Sequence, residues 1–167
     1  VFCLICALLG FADDRTKFKH KENTGLTAKQ KLAVQITASI AYVVYMHLVC
    51  GVGTELDIPF IGRFDFGWFY YPLIVFSTVG IVNAVNLTDG LDGLASSVTL
   101  VVTLGFAIIN AHIGRQYGVT WCLALAGALA GFLVWNFKPA KVFMGDTGSM
   151  FLGAMVVCMS FGVRFQL

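Results

Sequence analysis

Apolar residues in this chain run on in long stretches, with little regular alternation against polar ones. Five stretches contain no Asp, Glu, Lys or Arg: 32–54, 66–88, 93–114, 116–137 and 147–163. A helix needs about 20 mainly apolar residues to cross about 30 Å of hydrocarbon. Four stretches reach that length, and the fifth, at 17 residues, is at its lower limit. The pattern predicts transmembrane helices near 31–50, 70–88, 94–112, 118–136 and 148–165. Val1 to Ala12 is a shorter apolar run without the basic start of a signal peptide, and reads as the last part of a helix. With Phe165-Gln166-Leu167 closing the chain, the expectation is one partial transmembrane domain over 1–167, an internal fragment of a longer membrane protein.

Alternation appears in one place. Leu56, Ile58 and Phe60 alternate with other residues, Gly62-Arg63 suggests a turn, and Phe64, Asp65 and Phe66 follow. That predicts a short hairpin at one membrane surface. Trp68, Tyr70 and Tyr71 read as an interfacial aromatic belt. Gly127 and Gly131 form a G-x-x-x-G, a close-packing signal that chance in a Gly-rich chain explains equally well. The expected fold class is an all-α integral membrane protein. It is a polytopic helix bundle with about five complete transmembrane helices, a partial one and a short outer-face β-hairpin.

Composition agrees with this. The chain is 58% apolar and 12% charged, against about 25% charged in soluble domains. A disordered chain, a disulfide-rich scaffold and an ordinary soluble domain are all disfavoured. Alternation of loop faces puts Arg15, Lys17, Lys19, Lys21, Lys29, Lys31, Lys138 and Lys141 on one side, and Arg63, Arg115 and Arg164 on the other. The richer side is expected in the cytoplasm. Its basic run suits anionic lipid or phosphate-bearing substrates, although the orientation signal alone would produce it. No nucleic-acid partner is expected. The five Cys and three His show no ligand spacing, and Cys3-x-x-Cys6 reads as helix packing.

The scarce acids concentrate on the basic side. Asp13, Asp14, Asp89, Asp92 and Asp146 fall at helix ends, and Glu22 joins them. Carboxylates at the boundary of a membrane bundle are costly unless paired, hydrated or metal-bound. Gly10-Phe-Ala-Asp-Asp-Arg-Thr-Lys17 sets two acids together, with Lys17 one turn beyond Asp13 if the helix continues. In Asn83-Ala-Val-Asn-Leu-Thr-Asp-Gly-Leu-Asp-Gly, the residues Asn83, Asn86, Asp89 and Asp92 step by three. On a helix they would form one polar stripe, suited to a polar ligand or to gluing two helices. In Asn136-Phe-Lys-Pro-Ala-Lys-Val-Phe-Met-Gly-Asp-Thr-Gly-Ser149, Pro139 stops one helix and Asp146-Thr147 opens the next, as an N-cap or an anion site. Acids, lysines and a hard cation such as Mg²⁺ together suit phosphoryl transfer, where two anions must be brought together.

These three motifs, with Gly25-Leu-Thr-Ala-Lys-Gln-Lys31, resemble the polyprenyl-phosphate N-acetylhexosamine-1-phosphate transferases over essentially the whole chain. The wording is most similar to the branch that uses UDP-MurNAc-pentapeptide. The resemblance implies that undecaprenyl phosphate attacks this nucleotide sugar, with Mg²⁺, to give lipid I and UMP in peptidoglycan synthesis. It implies a multi-pass protein of the bacterial inner membrane, with its site facing the cytoplasm and a homodimer as a candidate assembly. Asp146 would hold Mg²⁺. Asp13 would deprotonate the lipid phosphate, beside an essential Asp14. Lys17, and more weakly Lys29, would contact phosphate. Asp89, Gly90, Leu91, Asp92, Asn136 and Phe143 would form the nucleoside cleft, with Phe143 stacked on uracil and Asn86 lining the same cleft. The family's first helices and its His-rich loop have no counterpart here, and Lys138 stands where relatives often have His. Little activity is expected from the 167-residue chain alone. A GlcNAc-1-phosphate transferase, a cation- or proton-coupled transporter and a noncatalytic helical fragment are the competing readings.

Overall fold

A computed structural model of the chain describes residues 1–20, 25–58 and 62–164. Their helices are α1 Phe2–His20, α2 Ala28–Leu48, α3 Tyr70–Thr88, α4 Leu94–His112, α5 Gln116–Asn136 and α6 Gly145–Arg164. Strands β1 Glu55–Ile58 and β2 Gly62–Asp65 pair antiparallel between α2 and α3, with Glu55 opposite Asp65 and Ile58 opposite Gly62. Four helical spans are long and apolar enough to cross a membrane: Ala28–Leu48, Gly67–Thr88, Leu94–His112 and Gln116–Asn136. The apolar part of α6, Gly145–Phe161, is shorter. The fold is therefore a polytopic all-α membrane bundle with a small hairpin.

Local chemistry sets the helix ends. α2 starts earlier than hydropathy alone indicates, because Thr27 and Gln30 form a capping box. Gln30 N donates to Thr27 Oγ1 (3.3 Å), and Thr27 N donates to Gln30 Oε1 (3.0 Å). α1 continues past its apolar part through Asp13, Asp14 and Lys17. Gly93 takes a left-handed φ of 72° to turn from α3 into α4, a conformation that favours glycine. α5 ends where Phe137 becomes extended, two residues before Pro139.

Two surface expectations need correction. Gly62 and Arg63 belong to β2 rather than to a turn, because the register pairs Arg63 with Asp57. Phe60 lies outside the described residues. Tyr70 is buried in the core, so Trp68 and half-buried Tyr71 remain of the expected belt.

The bundle is polar at several buried points and apolar outside. Gln35, Ser39, Thr78, Ser96, Thr99, Thr103, Asn110, Asn136 and Ser149 are buried, while Leu8, Phe76, Val101, Ile108 and Trp121 are exposed. That inversion is what lipid as solvent permits, since buried polar groups can bond one another across helices. α6 is central and packs on α1, α3 and α4, while α5 packs mainly on α4. Phe2, Cys6 and Leu9 of α1, Val82 of α3, and Met150, Ala154 and Val157 of α6 share one core.

Glycines permit the closest approaches, but not the expected ones. Gly127 and Gly131 face open space within this chain. Gly10 instead abuts the start of α6, where a Cβ would lie 2.6 Å from Thr147 N, and Gly153 abuts α3, where a Cβ would lie 2.7 Å from Val82 Cα. Backbone cannot retreat as a flexible side chain can, so a methyl must push the helices apart. Gly10→Ala is therefore expected to destabilise the fold by about 1–3 kcal/mol. Gly80→Ala, where a Cβ meets open space, is expected to be neutral or slightly stabilising. Thermal unfolding in detergent checks both. Equal midpoints for the two variants would contradict the packing account.

Candidate active site

The end of the bundle where α1 finishes and α6 begins gathers three carboxylates and two ammonium groups. α1 supplies Asp13, Asp14 and Lys17, the first turn of α2 supplies Lys31, α3 supplies Asn86, and α6 supplies Asp146 and Ser149. Two ammonium groups and two carboxylates alternate as a four-cornered ring. Lys17 Nζ is 2.7 Å from Asp13 Oδ2 and 3.0 Å from Asp146 Oδ2. Lys31 Nζ is 2.8 Å and 2.9 Å from the same two oxygens. Asp13 is fully buried, and the two ammonium groups neutralise its Oδ2 without well-angled hydrogen bonds. Its Oδ1 accepts from Leu26 N at 2.7 Å, and Gly25 lies so close to this carboxylate that a Cβ would collide with it. The 25–31 segment thus closes over Asp13.

Asp146 is held from both sides. Asn86 Nδ2 donates to Asp146 Oδ1 (3.1 Å) and to Ser149 Oγ (2.8 Å), and Ser149 Oγ donates to Gly145 O (2.9 Å). Asp14 caps α6 from another helix. Its carboxylate accepts from Asp146 N (3.2 Å), Thr147 N (3.0 Å) and Thr147 Oγ1 (2.6 Å). The free N–H groups expected as an anion site are therefore taken by Asp14, whose charge suits a helix N-terminus. Carboxylate oxygens of Asp13, Asp14 and Asp146 all lie within 4.8 Å of one another. Hard oxygen donors at this spacing fit a divalent cation, and the buried Asp13 Oδ2 adds a lone-pair site without a directed donor.

One contributor went unnominated in the sequence. Lys29 is exposed, and Lys31 fills the place in the ring. The Thr27–Gln30 capping box was the available signal, because it starts α2 at Ala28 and makes 29–31 helical. Two residues on a helix are separated by about 200°, so Lys29 and Lys31 face nearly opposite ways.

The polar stripe along 83–92 also divides. α3 ends at Thr88, so Asp89 caps it and Asp92 lies in the following turn. Asn83 faces Gln35 of α2, and Asn86 faces α6. Asp92 Oδ2 accepts from Ala140 N at 3.1 Å. Asn136 is buried, accepting from Ser96 Oγ (3.1 Å) and donating to Val142 O (2.9 Å). These two residues fasten the 137–142 loop. Gly90, Leu91 and Asp92 line a cavity of about 500 Å³ with Gly93, Leu94, Ser97, Phe137 and Lys138. Asp89, Asn136, Phe143 and Asn86 are not among its walls. Phe143 is 72% exposed. Burial, followed by the charges of Asp146 and Asp14, pushes the Asp89 carboxyl up to about 6.

The sequence carries the same message as this geometry. The model of glycosyl transferase family 4 matches residues 1–163. The chain is 44% identical over 162 residues to a phospho-N-acetylmuramoyl-pentapeptide-transferase of Clostridium perfringens, covering 95% of this chain and 50% of that protein. Proteins of the same name from Clostridium beijerinckii (44% over 167 residues; 98% and 51% covered) and Moorella thermoacetica (44% over 162 residues; 96% and 51%) are similar to it too. The chain spans about half the length of the curated relatives it matches. With the match covering nearly every residue, the chain belongs to glycosyl transferase family 4.

Proposed function

We infer that the full-length protein transfers phospho-MurNAc-pentapeptide from UDP-MurNAc-pentapeptide to undecaprenyl phosphate, releasing UMP and leaving lipid I. The observation that carries this reading is the ring in which Lys17 and Lys31 bridge Asp13 and Asp146, beside Asp14. The names of the relatives supply the transferred group, phospho-N-acetylmuramoyl-pentapeptide; the nucleotide donor and the lipid acceptor come from the family resemblance. An oxygen of the lipid phosphate bonds to the sugar-bearing phosphorus of the nucleotide, and the bond from that phosphorus to the bridging oxygen breaks, so UMP departs with the electron pair.

Each step asks something different of the chain. Lys17 and Lys31 offset the repulsion between two phosphates and the charge growing on the leaving oxygen. As phosphate oxygens draw these ammonium groups toward themselves, Asp13 Oδ2 is released to accept the proton of the lipid phosphate. Asp14 keeps Asp146 in place by holding the start of α6. Asp146, with Asp13 and Asp14 near enough to assist, would hold Mg²⁺. Bound there, the ion would screen the phosphate oxygens and stabilise the departing UMP. Gly90, Leu91 and Asp92 would receive the nucleoside in their cavity, with exposed Phe143 free to cover the base. Asp89, next to Gly90 in the chain, is proposed to contact the nucleotide.

The site would face the cytoplasm of a bacterial inner membrane, where nucleotide sugars are made, with the hairpin outside. A homodimer is the proposed assembly.

Exchange of labelled UMP into UDP-MurNAc-pentapeptide tests the chemistry. Asp146→Asn and Asp13→Asn are each expected to lower the exchange rate at least about 100-fold in the full-length protein. Wild-type rates in both variants, or exchange confined to UDP-GlcNAc, would overturn the assignment.

Orientation is checked with Cys50, which is exposed just beyond α2, while the other four cysteines are buried or half-buried. A membrane-impermeant maleimide is expected to label Cys50 in intact cells. Labelling only after lysis would reverse the topology.

Asp89 yields a pH prediction. Its folded pKa lies above the ordinary 3.8, so the folded state holds this proton more tightly than the unfolded one. Its contribution to stability is present below pH 3.8 and falls as the pH rises through about 6. In the metal-free protein, the carboxyl carbon signal of Asp89 is expected to titrate near pH 6. Asp146→Asn should lower that midpoint only partly, because burial is the larger cause. A midpoint near 4 in the unsubstituted protein would refute this.

A further inference from the structure

Lys31 and Asn86 reach Asp146 from different helices, so the site ties α2 to α3 only through a residue of α6. A half-buried amide pair one turn away ties them directly. Gln35 follows Lys31 by four residues on α2, and Asn83 precedes Asn86 by three on α3. Gln35 is 2% exposed. Asn83 Nδ2 donates to Gln35 Oε1 at 2.7 Å, and Gln35 Nε2 donates back to Asn83 Oδ1 at 3.4 Å. Asn83 Nδ2 also donates to Val79 O at 2.8 Å, which ties the amide to its own helix.

The setting makes such a pair decisive for register. Apolar helix faces in lipid gain little from meeting one another rather than acyl chains, so sliding them along each other is weakly resisted. A reciprocal amide pair resists it, because a shift of one residue, about 1.5 Å, breaks both bonds and leaves the buried Gln35 amide unpaired. The same shift would carry Lys31 Nζ out of hydrogen-bonding range of Asp13 and Asp146, now 2.8 Å and 2.9 Å away.

We propose that the Gln35–Asn83 amide pair is a positioning clamp that sets the register of α2 against α3 and thereby holds Lys31 and Asn86 together on Asp146. The kinetic part of this rests on the phosphotransfer reading above; the geometric part does not. Neither residue touches substrate in this account. A clamp that fixes the placement of an ammonium group should act on kcat far more than on KM, since its effect is greatest where charge develops.

The test compares Gln35→Leu with the swapped pair Gln35→Asn plus Asn83→Gln in the full-length protein. The swap keeps the total number of methylenes across the interface. Two readouts are taken at a temperature where each variant is folded. The first is modification of Lys31 by a water-soluble amine-reactive ester, read by mass spectrometry relative to exposed Lys29 on the same turn. The second is the split of UMP exchange into kcat and KM. For Gln35→Leu, the Lys31 to Lys29 labelling ratio is expected to rise several-fold. Its kcat should fall about 10- to 100-fold with KM within about 3-fold of wild type, and the swap should recover most of both. Gln35→Met, closer to glutamine in length, takes its place should Gln35→Leu fail to accumulate.

A folded variant that lacks the amide at 35 yet keeps the wild-type labelling ratio overturns the proposal, even if it melts at a lower temperature. A loss confined to KM does so as well. If unsubstituted protein shows no phosphotransfer but the labelling ratio responds as expected, the clamp stands and the functional reading fails.

Discussion

Everything at the end of the bundle where α1 finishes and α6 begins depends on neutralising Asp13. A fully buried carboxylate in a membrane helical bundle is tolerable only with cations and donors brought to it. Lys17 comes from its own helix, Lys31 from the next, and the backbone of Leu26 from the segment between them. The same two lysines reach Asp146 at the start of α6, and Asn86 of α3 reaches it from the other side. One electrostatic requirement thus draws four helices to a common point. It also leaves there, in one place, the charges that a reaction between two phosphates needs.

Packing makes that convergence achievable. Glycines at 10 and 153 let α6 lie against α1 and α3 at backbone distance. α6 can then start beside Asp14, which caps it, so its N-terminal dipole is satisfied by protein rather than left open for an anion. Phosphate would have to meet lysines instead. The cavity beside Gly90–Gly93 is built differently. Asn136 and Asp92 are used to secure the 137–142 loop, and the walls are mostly small or apolar. A charged centre and a more apolar pocket differ in the way that the phosphates and base of the proposed nucleotide-sugar substrate would require.

Four of the five expected spans match helices long and apolar enough to cross a membrane, since hydropathy acts over twenty residues at a time and tolerates local error; the fifth falls on α6, whose apolar part is shorter. The expected 70–88 and 94–112 coincide with α3 and α4. Where a single local device decides, legibility fell. The start of α2 depended on a capping box that hydropathy does not register. The hairpin turn depended on register, which the positions of Gly62 and Arg63 alone do not specify. The stripe 83–92 had the right spacing for a helix, but α3 ended at Thr88, and Asn83, Asn86 and Asp92 went to different partners.

By itself the sequence determined which residues were available for chemistry. A chain with only 12% charged residues has few candidates, and membrane insertion pushes them to helix ends. It also put Asp13 and Lys17 at i and i+4, where a helical turn brings them together once α1 runs on past its apolar part. Only the tertiary structure decided that Lys31 rather than Lys29 completes the ring, that Asp14 caps a helix 132 residues away, and that Gln35 and Asn83 lock two helices. Those choices rest on helix rotation and axial register between distant segments. They are fixed by packing and by pairing of buried polar groups, and neither periodicity nor spacing along the chain encodes them directly.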